Sequence, residues 1–288
     1  MDRQEDMNIS ISNAILEGAQ VLRAAGVIEA RRESGSLLAH TIGRDRTFVV
    51  THGDEPFEAA AVENFRQLIG RRAAGEPLQY LTGHQEFFKL DFEVTPAVLI
   101  PRPETELLVE IALELLKGHN AFIADIGTGS GCIAISLLHE LRDARAIATD
   151  ISPLALQIAK RNADRHDVID RLTVIESDCF AKVNADRSFS LIASNPPYIR
   201  DDEMETLPRE VGYEPRAALA GGPDGLDTVR RLVREASPFV RPDGHLIFEI
   251  GFGQNALVER LINREVWELT EMRPDLQGIA RAVVLRKK

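Results

Sequence analysis

Two short segments of the chain combine residue types that could perform chemistry, and the first is rich in glycine. The loop at 125–131 reads Asp-Ile-Gly-Thr-Gly-Ser-Gly, follows a predicted strand and opens a predicted helix. Glycine permits positive φ and lets a ligand approach the backbone closely. The next predicted strand ends at Asp150, 21 residues after Gly129, and an acidic side chain at that distance can bind a pair of ribose hydroxyls. The pattern predicts a nucleoside ligand; a tight turn that binds nothing is the alternative.

The second segment is Asn195-Pro196-Pro197-Tyr198, at the end of another predicted strand. A proline pair cannot continue a central strand, so the chain must leave the sheet here. In an open parallel sheet, the carboxyl ends of the strands are where ligands bind. The tetrapeptide is therefore a candidate for a second part of the same site, although a proline-rich strand exit would look the same.

The elements that must position these segments alternate between strand and helix from residue 97 onward. A helix is predicted to open at Glu104 or Thr105, and others follow Gly131, start at Pro153 and cover about 226–236. Between them lie apolar runs typical of buried strands, namely AFIADI, RAIATD, LTVIES, FSLIASN and HLIFEI. The last runs, VWELT and ARAVVLR, predict a closing antiparallel pair. This alternation predicts a mostly parallel α/β sheet with helices on both faces.

The first 75 residues carry helical periodicity only. Apolar residues recur at helical spacing in three stretches that end near Gly26, Gly43 and Gly70 or Gly75. The run FFKLDFEV, from Phe87, alternates as a half-buried strand or hairpin does. The predicted domains are a helical bundle at 1–75, a linker with a β-hairpin at 76–96, and an α/β domain at 97–288. Such a bundle docks a partner or covers a site, or is a structural cap.

Composition restricts the class of protein further. With 44% apolar and 27% charged residues in 288, disordered, collagen-like and coiled-coil classes are excluded. The net charge of -11 disfavours non-specific nucleic-acid binding, although a local basic patch would be compatible with it. Cys132 and Cys179 form neither a disulfide framework nor a zinc spacing. No apolar run approaches a membrane span, and MDRQEDMNIS lacks the apolar region of a signal peptide. We therefore expect a soluble cytoplasmic protein.

The glycine loop resembles the first motif of class I S-adenosylmethionine-dependent methyltransferases. Its third glycine is Gly131, whereas the dinucleotide fingerprint would place a glycine or alanine where this chain has Cys132. In that methyltransferase class, an acidic residue at the position of Asp178 commonly meets the adenine amino group, and its neighbours flank the ring. A strand-end cap is the alternative role for Asp178. An aromatic residue often follows this aspartate in the class, so Cys179 departs from the pattern.

The tetrapeptide resembles the (D/N)PP(Y/F) signature of methyltransferases that act on planar NH2 groups, in nucleic-acid bases or in the glutamine amide. The nitrogen of such a group is a poor nucleophile because its lone pair is delocalised. The side-chain oxygen of Asn195 can accept one N–H and the carbonyl of Pro196 the other, which fixes the nitrogen and favours its pyramidalisation. Proline rigidity holds this geometry, and Tyr198 can stack on the flat group. With no evident general base, we expect catalysis by positioning.

Longer motifs resemble the peptide chain release factor glutamine methyltransferases, the HemK/PrmC family. The resemblance covers nearly the whole chain from residue 75 onward, while the N-terminal helices match in kind and length. Besides the glycine loop and the tetrapeptide, the matching motifs are EPLQYLTG (76–83), Phe87, LIPRPETE (99–106), DISP (150–153) with Ala155 and Leu156, YEPR (213–216), GGPDGL (221–226) and FEIG (248–251).

The resemblance implies a class I methyltransferase domain, Rossmann-like with an antiparallel C-terminal strand, preceded by a small helical bundle. It implies methyl transfer from S-adenosylmethionine to the amide nitrogen (N5) of the glutamine in the Gly-Gly-Gln motif of release factors. Catalysis is assigned to Asn195, Pro196 and Tyr198, and substrate binding to these three with Pro197. The resemblance involves no metal. The implied cofactor residues are Gly127, Thr128, Gly129, Ser130, Gly131, Asp150, Asp178, Cys179 and Asn195.

Several alternatives stay open from the sequence. Arg102 and Glu104 lie in a family motif near the active-site opening, or form a domain-interface ion pair. Ribosomal protein glutamine methyltransferases share the tetrapeptide and much of this architecture. A nucleic-acid amine methyltransferase would need a basic track and, on duplex DNA, a base-flipping pocket, which the net charge of -11 disfavours. The intact motifs argue against an inactive binding module. We expect a release factor as partner, and neither nucleic acid nor membrane.

Overall fold

The structure, a computed structural model, describes residues 9–56, 59–118, 120–184, 186 and 188–288. The described residues form two compact units. The first contains the residues up to Gly83 together with Pro208–Tyr213, and the second contains His84–Leu207 with Glu214–Lys288. The prediction that the N-terminus is not a signal peptide falls mainly on residues 1–8, which lie outside the described residues.

The first unit is helical, as the periodicity predicts. The three expected helices are present, and two short ones, α3 and α5, were not predicted because five or six residues are too few to show a helical period. Side chains cap the starts of two helices: Ser10 accepts from the backbone N–H of Asn13, and Asp45 from that of Phe48. The helices are α1 (Ile11–Ala24), α2 (Ala30–Thr41), α3 (Arg46–Thr51), α4 (Ala59–Ala73) and α5 (Leu78–Thr82).

A buried arginine organises the polar contacts of the first unit. The Arg72 side chain is only 4% exposed and forms ion pairs with Glu33 of α2 and Glu210 of the segment Pro208–Tyr213. A buried guanidinium is tolerated only when it is paired and hydrogen-bonded, and both carboxylates meet that need. The pair with Glu210 attaches a segment remote in sequence to the helices of this unit.

The second unit begins with the predicted hairpin, β1 (His84–Phe87) and β2 (Leu90–Glu93), paired antiparallel. Phe88 and Lys89 form its turn with φ of 49° and 63°, the conformation that a two-residue hairpin loop requires. Asn162 of a later helix holds the hairpin: its side-chain oxygen accepts from the Glu93 N–H at 2.7 Å, and its amide donates to the Glu93 carbonyl at 3.0 Å.

The centre of the second unit is a seven-stranded sheet in the order β5-β4-β3-β6-β7-β9-β8. The first five strands in this order pair in parallel, whereas β9 is antiparallel to both of its neighbours. The predicted fold, a mostly parallel sheet closed by an antiparallel C-terminal pair behind a helical N-terminal region, is confirmed. The strands are β3 (Phe122–Ile126), β4 (Arg145–Asp150), β5 (Leu172–Glu176), β6 (Phe189–Ser194), β7 (Val240–Glu249), β8 (Trp267–Pro274) and β9 (Ala280–Lys287).

Helices cover both faces of this sheet over two apolar cores. Neighbouring residues of one strand contribute to different cores: Leu191 belongs to one and Ile192 to the other. This alternation follows from the two-residue period of a strand. The helices of this unit are α6 (Glu106–Leu116), α7 (Cys132–Glu140), α8 (Pro153–Arg165), α9 (Arg216–Leu219), α10 (Asp227–Glu235) and α11 (Asn255–Leu261).

Candidate active site

The strand order brings the two candidate segments together. Strands β3 and β6 are neighbours and pair in parallel, although the residues that end them, Ile126 and Ser194, are 68 positions apart in sequence. From β3 the chain proceeds to one side of the sheet and from β6 to the other, so this is the point where the strand order reverses. Ligands bind outside the carboxyl ends of strands at such a point. The Ser194 hydroxyl donates to the Ile126 carbonyl at 2.7 Å and ties the two strand ends together.

The glycine loop turns between β3 and α7. Its three glycines have positive φ, as predicted, and the N–H groups of Gly127 and Thr128 both donate to the carbonyl of Thr149. A side chain at Gly131 would place its Cβ 2.7 Å from Ile135 Cδ1 and 3.3 Å from Ala159 Cβ. The third glycine is therefore required for close packing of α7 against α8.

Asp125 supports this loop from inside the protein. Its carboxylate is fully buried and accepts from the Thr128 hydroxyl at 2.6 Å and from the Ala134 N–H at 3.2 Å, both through Oδ2. The other oxygen, Oδ1, is buried without a hydrogen-bond partner among the described residues. Burial raises the pKa of Asp125 to about 6, because a charge loses its hydration in the core.

Asp150, at the end of β4, lies beside the glycine loop. Its carboxylate accepts from the Gly129 N–H and from the Ser152 N–H, each at 2.9 Å. Burial raises its pKa. Each carboxylate oxygen keeps a further lone pair for a hydroxyl donor. The two hydrogen bonds from backbone N–H groups hold the carboxylate next to the glycine loop. This is the position that an acidic residue needs in order to bind ribose.

Asp178 and Cys179 follow β5. The Asp178 carboxylate is 63% exposed and accepts from Arg231 of α10 at 2.6 Å. Sequence reasoning missed this arginine, which is 53 residues away in the chain. Cys179 is buried with φ of 47°, and burial raises the pKa of its thiol. A thiol held in its neutral form is a poor nucleophile.

A carboxylate that sequence reasoning did not assign holds both ends of the tetrapeptide. Asn195 donates through Nδ2 to the Thr105 hydroxyl oxygen at 2.9 Å, and that hydroxyl donates to Glu249 at 2.6 Å. The Tyr198 hydroxyl donates to the other oxygen of Glu249 at 3.2 Å. Glu249 is 2% exposed. Its position in sequence, a charged residue between Phe248 and Ile250 in the apolar run HLIFEI, is the signal that could have identified it.

Close backbone packing also shapes this segment. Gly225, in the GGPDGL motif, has φ of 76°, and a Cβ there would lie 2.3 Å from the Tyr198 carbonyl oxygen. The Gln254 side-chain amide donates to that carbonyl at 3.1 Å, and its oxygen accepts from the Gly251 N–H at 2.8 Å. The Tyr198 ring lies against Gly251. These contacts explain why the motif needs glycine at a position remote from the tetrapeptide.

A cavity of about 390 Å³ at the carboxyl ends of the strands connects the two segments. Thr105 and Arg231 also line it. Two of the predicted site residues, Gly131 and Tyr198, do not line it: Gly131 packs near Ile135 and Ala159, and the Tyr198 hydroxyl donates to Glu249. The predicted site residues that line the cavity are Gly127, Thr128, Gly129, Ser130, Asp150, Asp178, Cys179, Asn195, Pro196 and Pro197.

Arg102, of the LIPRPETE motif, and His84, of the hairpin, each lie beside an acidic side chain. Arg102 forms an ion pair with Glu214, whose side chain is 2% exposed and also accepts from the Ile100 N–H at 3.1 Å. Both members of this pair belong to the second unit. His84 lies on the hairpin and contacts Asp91 and Arg165.

Among residues 9–56, 59–118, 120–184, 186 and 188–288, no group of three or more His, Cys, Asp or Glu side chains could hold a metal ion. Within the same ranges, none of the helices has both the length and the apolar character needed to cross a membrane.

A glycine loop and an Asn-Pro-Pro-Tyr segment on adjacent parallel strands of this sheet define a class I methyltransferase. The family profile "Methyltransferase small domain" matches residues 103–210, and "PrmC N-terminal domain" matches residues 13–83. The chain belongs to the release factor glutamine methyltransferase family. It is 43% identical to the release factor glutamine methyltransferase of Moorella thermoacetica over 97% of this chain and 99% of that protein. It is 44% identical to that of Geobacter sulfurreducens over 91% of each.

Solved structures that resemble this chain share its fold. The catalytic domain of hMettl16, crystallised with the MAT2A 3'UTR hairpin 1, matches with a TM-score of 0.58 at 14% identity, covering 87% of this chain and 90% of that chain. A methyltransferase from Pyrococcus furiosus matches with a TM-score of 0.53 at 17% identity, covering 70% of this chain and 90% of that chain. At this level of identity the likeness extends to the fold alone. Its relatives and the matched methyltransferase domain, and not these structures, make the chain an enzyme of the methyltransferase class.

Proposed function

We propose that this enzyme transfers a methyl group from S-adenosylmethionine to the side-chain amide nitrogen, N5, of the glutamine in the Gly-Gly-Gln motif of peptide chain release factors. The observation that carries the proposal is the single cavity shared by the glycine loop, Asp150 and Asn195-Pro196-Pro197. One end of this cavity has the groups that bind a nucleoside, and the other has two acceptors for a planar NH2 group. The names of the relatives supply the identity of the substrate.

The residues present suit S-adenosylmethionine. Asp150 offers acceptor lone pairs for the ribose hydroxyls, and the glycine loop exposes backbone next to it. Asp178 and Cys179 line the same cavity and would contact the adenine. Arg231 takes up one oxygen of Asp178, and the other oxygen remains for the adenine amino group. When bound, S-adenosylmethionine supplies an electrophilic methyl group on a sulfonium.

The chain's own residues would orient the acceptor nitrogen. Asn195 Oδ1 accepts one amide N–H of the substrate glutamine, and the Pro196 carbonyl accepts the other. With both hydrogens fixed, the nitrogen lone pair faces the methyl carbon. The nitrogen held by Asn195 and Pro196 would take the methyl group, the S–C bond of the cofactor breaking as the new N–C bond forms, and would then lose a proton to water. Positioning of this kind reduces the entropic barrier to the reaction.

Further assignments belong to the same proposal. Residues 1–75 would recognise the release factor, residues 76–96 would link the domains, and residues 97–288 would carry the reaction. Tyr198 would stack on the substrate amide. Since the substrate works in translation, the enzyme would act in the cytoplasm.

A labelling assay tests the substrate. Purified enzyme with S-adenosylmethionine labelled in the methyl group should label a release factor and should not label its Gln→Ala variant at the Gly-Gly-Gln motif. A ribosomal protein fraction and duplex DNA serve as competing acceptors. Equal labelling of the Gln→Ala variant, or labelling of ribosomal protein or DNA alone, would refute the proposal.

The role of Asn195 has its own test. Replacing Asn195 by alanine removes one of the two acceptors, so kcat should fall by roughly 10²–10³, as on loss of a preorganised hydrogen-bonding group. Cofactor affinity, measured by calorimetry, should change far less. Asn263→Ala, at an exposed position outside the cavity, is the matched control. Near-normal turnover of Asn195→Ala would contradict the assigned role.

A further inference from the structure

We infer that Glu249, acting through Thr105, is a positioning residue that sets the orientation of the Asn195 side-chain amide. This inference rests on the proposed function, because it concerns the hydrogen-bond acceptor assigned to the substrate nitrogen. An asparagine amide has an oxygen end and an NH2 end of nearly the same shape. Only the oxygen end can accept from a substrate N–H, so the reaction needs one of the two orientations.

The hydroxyl of Thr105 lies between Glu249 and Asn195. A threonine hydroxyl has a single hydrogen to donate. The Thr105 oxygen lies 2.6 Å from Glu249 Oε2, and an ionised carboxylate only accepts. The Thr105 hydroxyl therefore donates its hydrogen to Glu249.

The Thr105 hydroxyl in turn determines which end of the Asn195 amide faces it. Because the Thr105 hydrogen is donated to Glu249, the Thr105 oxygen can only accept from the group 2.9 Å away on Asn195. That group must be Nδ2, because Oδ1 facing the hydroxyl would put two acceptors against each other. The amide oxygen is left on the opposite branch of the side chain. Since Asn195 lines the cavity, this oxygen is the end available to the substrate.

The same carboxylate also holds the far end of the tetrapeptide. Glu249 Oε1 accepts from the Tyr198 hydroxyl at 3.2 Å. One buried side chain thus holds Asn195 through Thr105 and holds Tyr198 directly, at the two ends of the tetrapeptide. Glu249 belongs to the motif FEIG and Thr105 to the motif LIPRPETE. The hydrogen bond between them gives both motifs a role.

Protonation of Glu249 would release this constraint. A neutral Glu249 can donate to Thr105, whose hydrogen could then turn to Asn195 and stabilise the inverted amide. Burial raises the pKa of Glu249, and the nearby Glu104 carboxylate adds to this effect, while Thr105, Tyr198 and Arg281 oppose it. Turnover should therefore fall on acidification at a pH above the ordinary range of glutamate.

The main test compares three variants with the wild-type enzyme. Thr105→Val keeps the shape but removes the hydroxyl, and kcat should fall by roughly 10- to 100-fold while cofactor affinity stays within about twofold, a small energy on the scale of one hydrogen bond. Thr105→Ser should restore most of the rate. Glu249→Gln, which can still accept from Thr105, should have an intermediate kcat at neutral pH and lack the acidic limb of the pH profile.

Controls separate positioning from stability. Thr270→Val removes a hydroxyl that donates to the Val284 carbonyl at 3.1 Å, outside the cavity, and should leave kcat unchanged. Thermal unfolding shows whether each variant is folded at the assay temperature. A wild-type kcat for Thr105→Val, an equal loss of kcat and cofactor affinity, or no recovery in Thr105→Ser would overturn the inference.

A second measurement needs no substrate and so distinguishes this inference from the proposed function. In protein labelled with 15N-asparagine, the Asn195 NH2 group should exchange slowly with solvent in the wild type. It should exchange much faster in Thr105→Val. Rapid exchange in the wild type would overturn the inference even if the release factor is methylated. Slow exchange that depends on Thr105 would support it even if the acceptor proves to be another planar amine.

Discussion

The buried carboxylate of Asp125 should make the stability of the protein depend on pH in a way that a single substitution removes. Asp125→Asn keeps the shape and one acceptor oxygen for Thr128 and Ala134, the two groups that donate to it, but carries no charge. The carboxylate is fully buried with one oxygen unpaired among the described residues. Ionisation is therefore more costly in the folded protein than in the unfolded chain.

The magnitude follows from the pKa. Folding raises the pKa of Asp125 from its ordinary 3.8 to about 6. At about 1.36 kcal/mol per pKa unit, this difference corresponds to roughly 3 kcal/mol. Because the pKa is higher in the folded protein, protonated Asp125 stabilises the folded state relative to the ionised group. This stabilisation is complete below pH 3.8 and is lost as the pH rises through about 6. Roughly half of this free energy is lost between pH 5 and pH 8.

Urea unfolding of wild type and Asp125→Asn at pH 5 and pH 8, without cofactor, measures this effect. The stability of the variant relative to wild type should increase by about 1–2 kcal/mol from pH 5 to pH 8. The double difference cancels the titration of all other groups that the substitution leaves unchanged. Asp143→Asn, at an exposed position, should show no comparable change. A constant difference between wild type and Asp125→Asn at the two pH values would refute the reasoning.

Three further predictions concern the supports of the site. Asp150→Ala removes the acceptor of two backbone N–H groups and should weaken S-adenosylmethionine binding at least about tenfold; unchanged affinity in calorimetry would exclude Asp150 from the ribose site. Gly225→Ala should lower the free energy of unfolding by more than about 1 kcal/mol. The loss should exceed that of Gly278→Ala, because Gly278 has a similar φ of 80° but open space around it. Equal losses in urea unfolding would argue against the contact between Gly225 and Tyr198. Asn162→Ala removes hydrogen bonds to Glu93 and to the Ser130 carbonyl and should lower the free energy of unfolding by at least about 2 kcal/mol. Asn263→Ala, which loses a single exposed hydrogen bond from the Glu265 N–H, is the control, and a loss no larger than that of the control would show that the Asn162 hydrogen bonds contribute little.

Much of the fold could be predicted from the sequence because strands and helices leave periodic patterns. The parallel strands read as short apolar runs between helices, and the hairpin at 84–93 reads as alternation. The short helices α3 and α5 were missed because their stabilisation comes from packing in the first unit and not from a long local pattern. The predicted boundaries at 75 and 96 stay predictions. The structure groups the hairpin with the second unit.

The sequence by itself determined which residues could bind a nucleoside and a planar amine. The glycine loop, Asp150 and the tetrapeptide carry their chemistry in residue type and short spacing, so a linear pattern is enough to find them. Only the tertiary structure decided which groups hold them in place. Thr105, Asn195 and Glu249 are 90 and 54 residues apart in sequence and meet only because β6 and β7 are neighbours and the turn before α6 packs beside them. Hydrogen-bond direction depends on such contacts in space, and no local spacing encodes it.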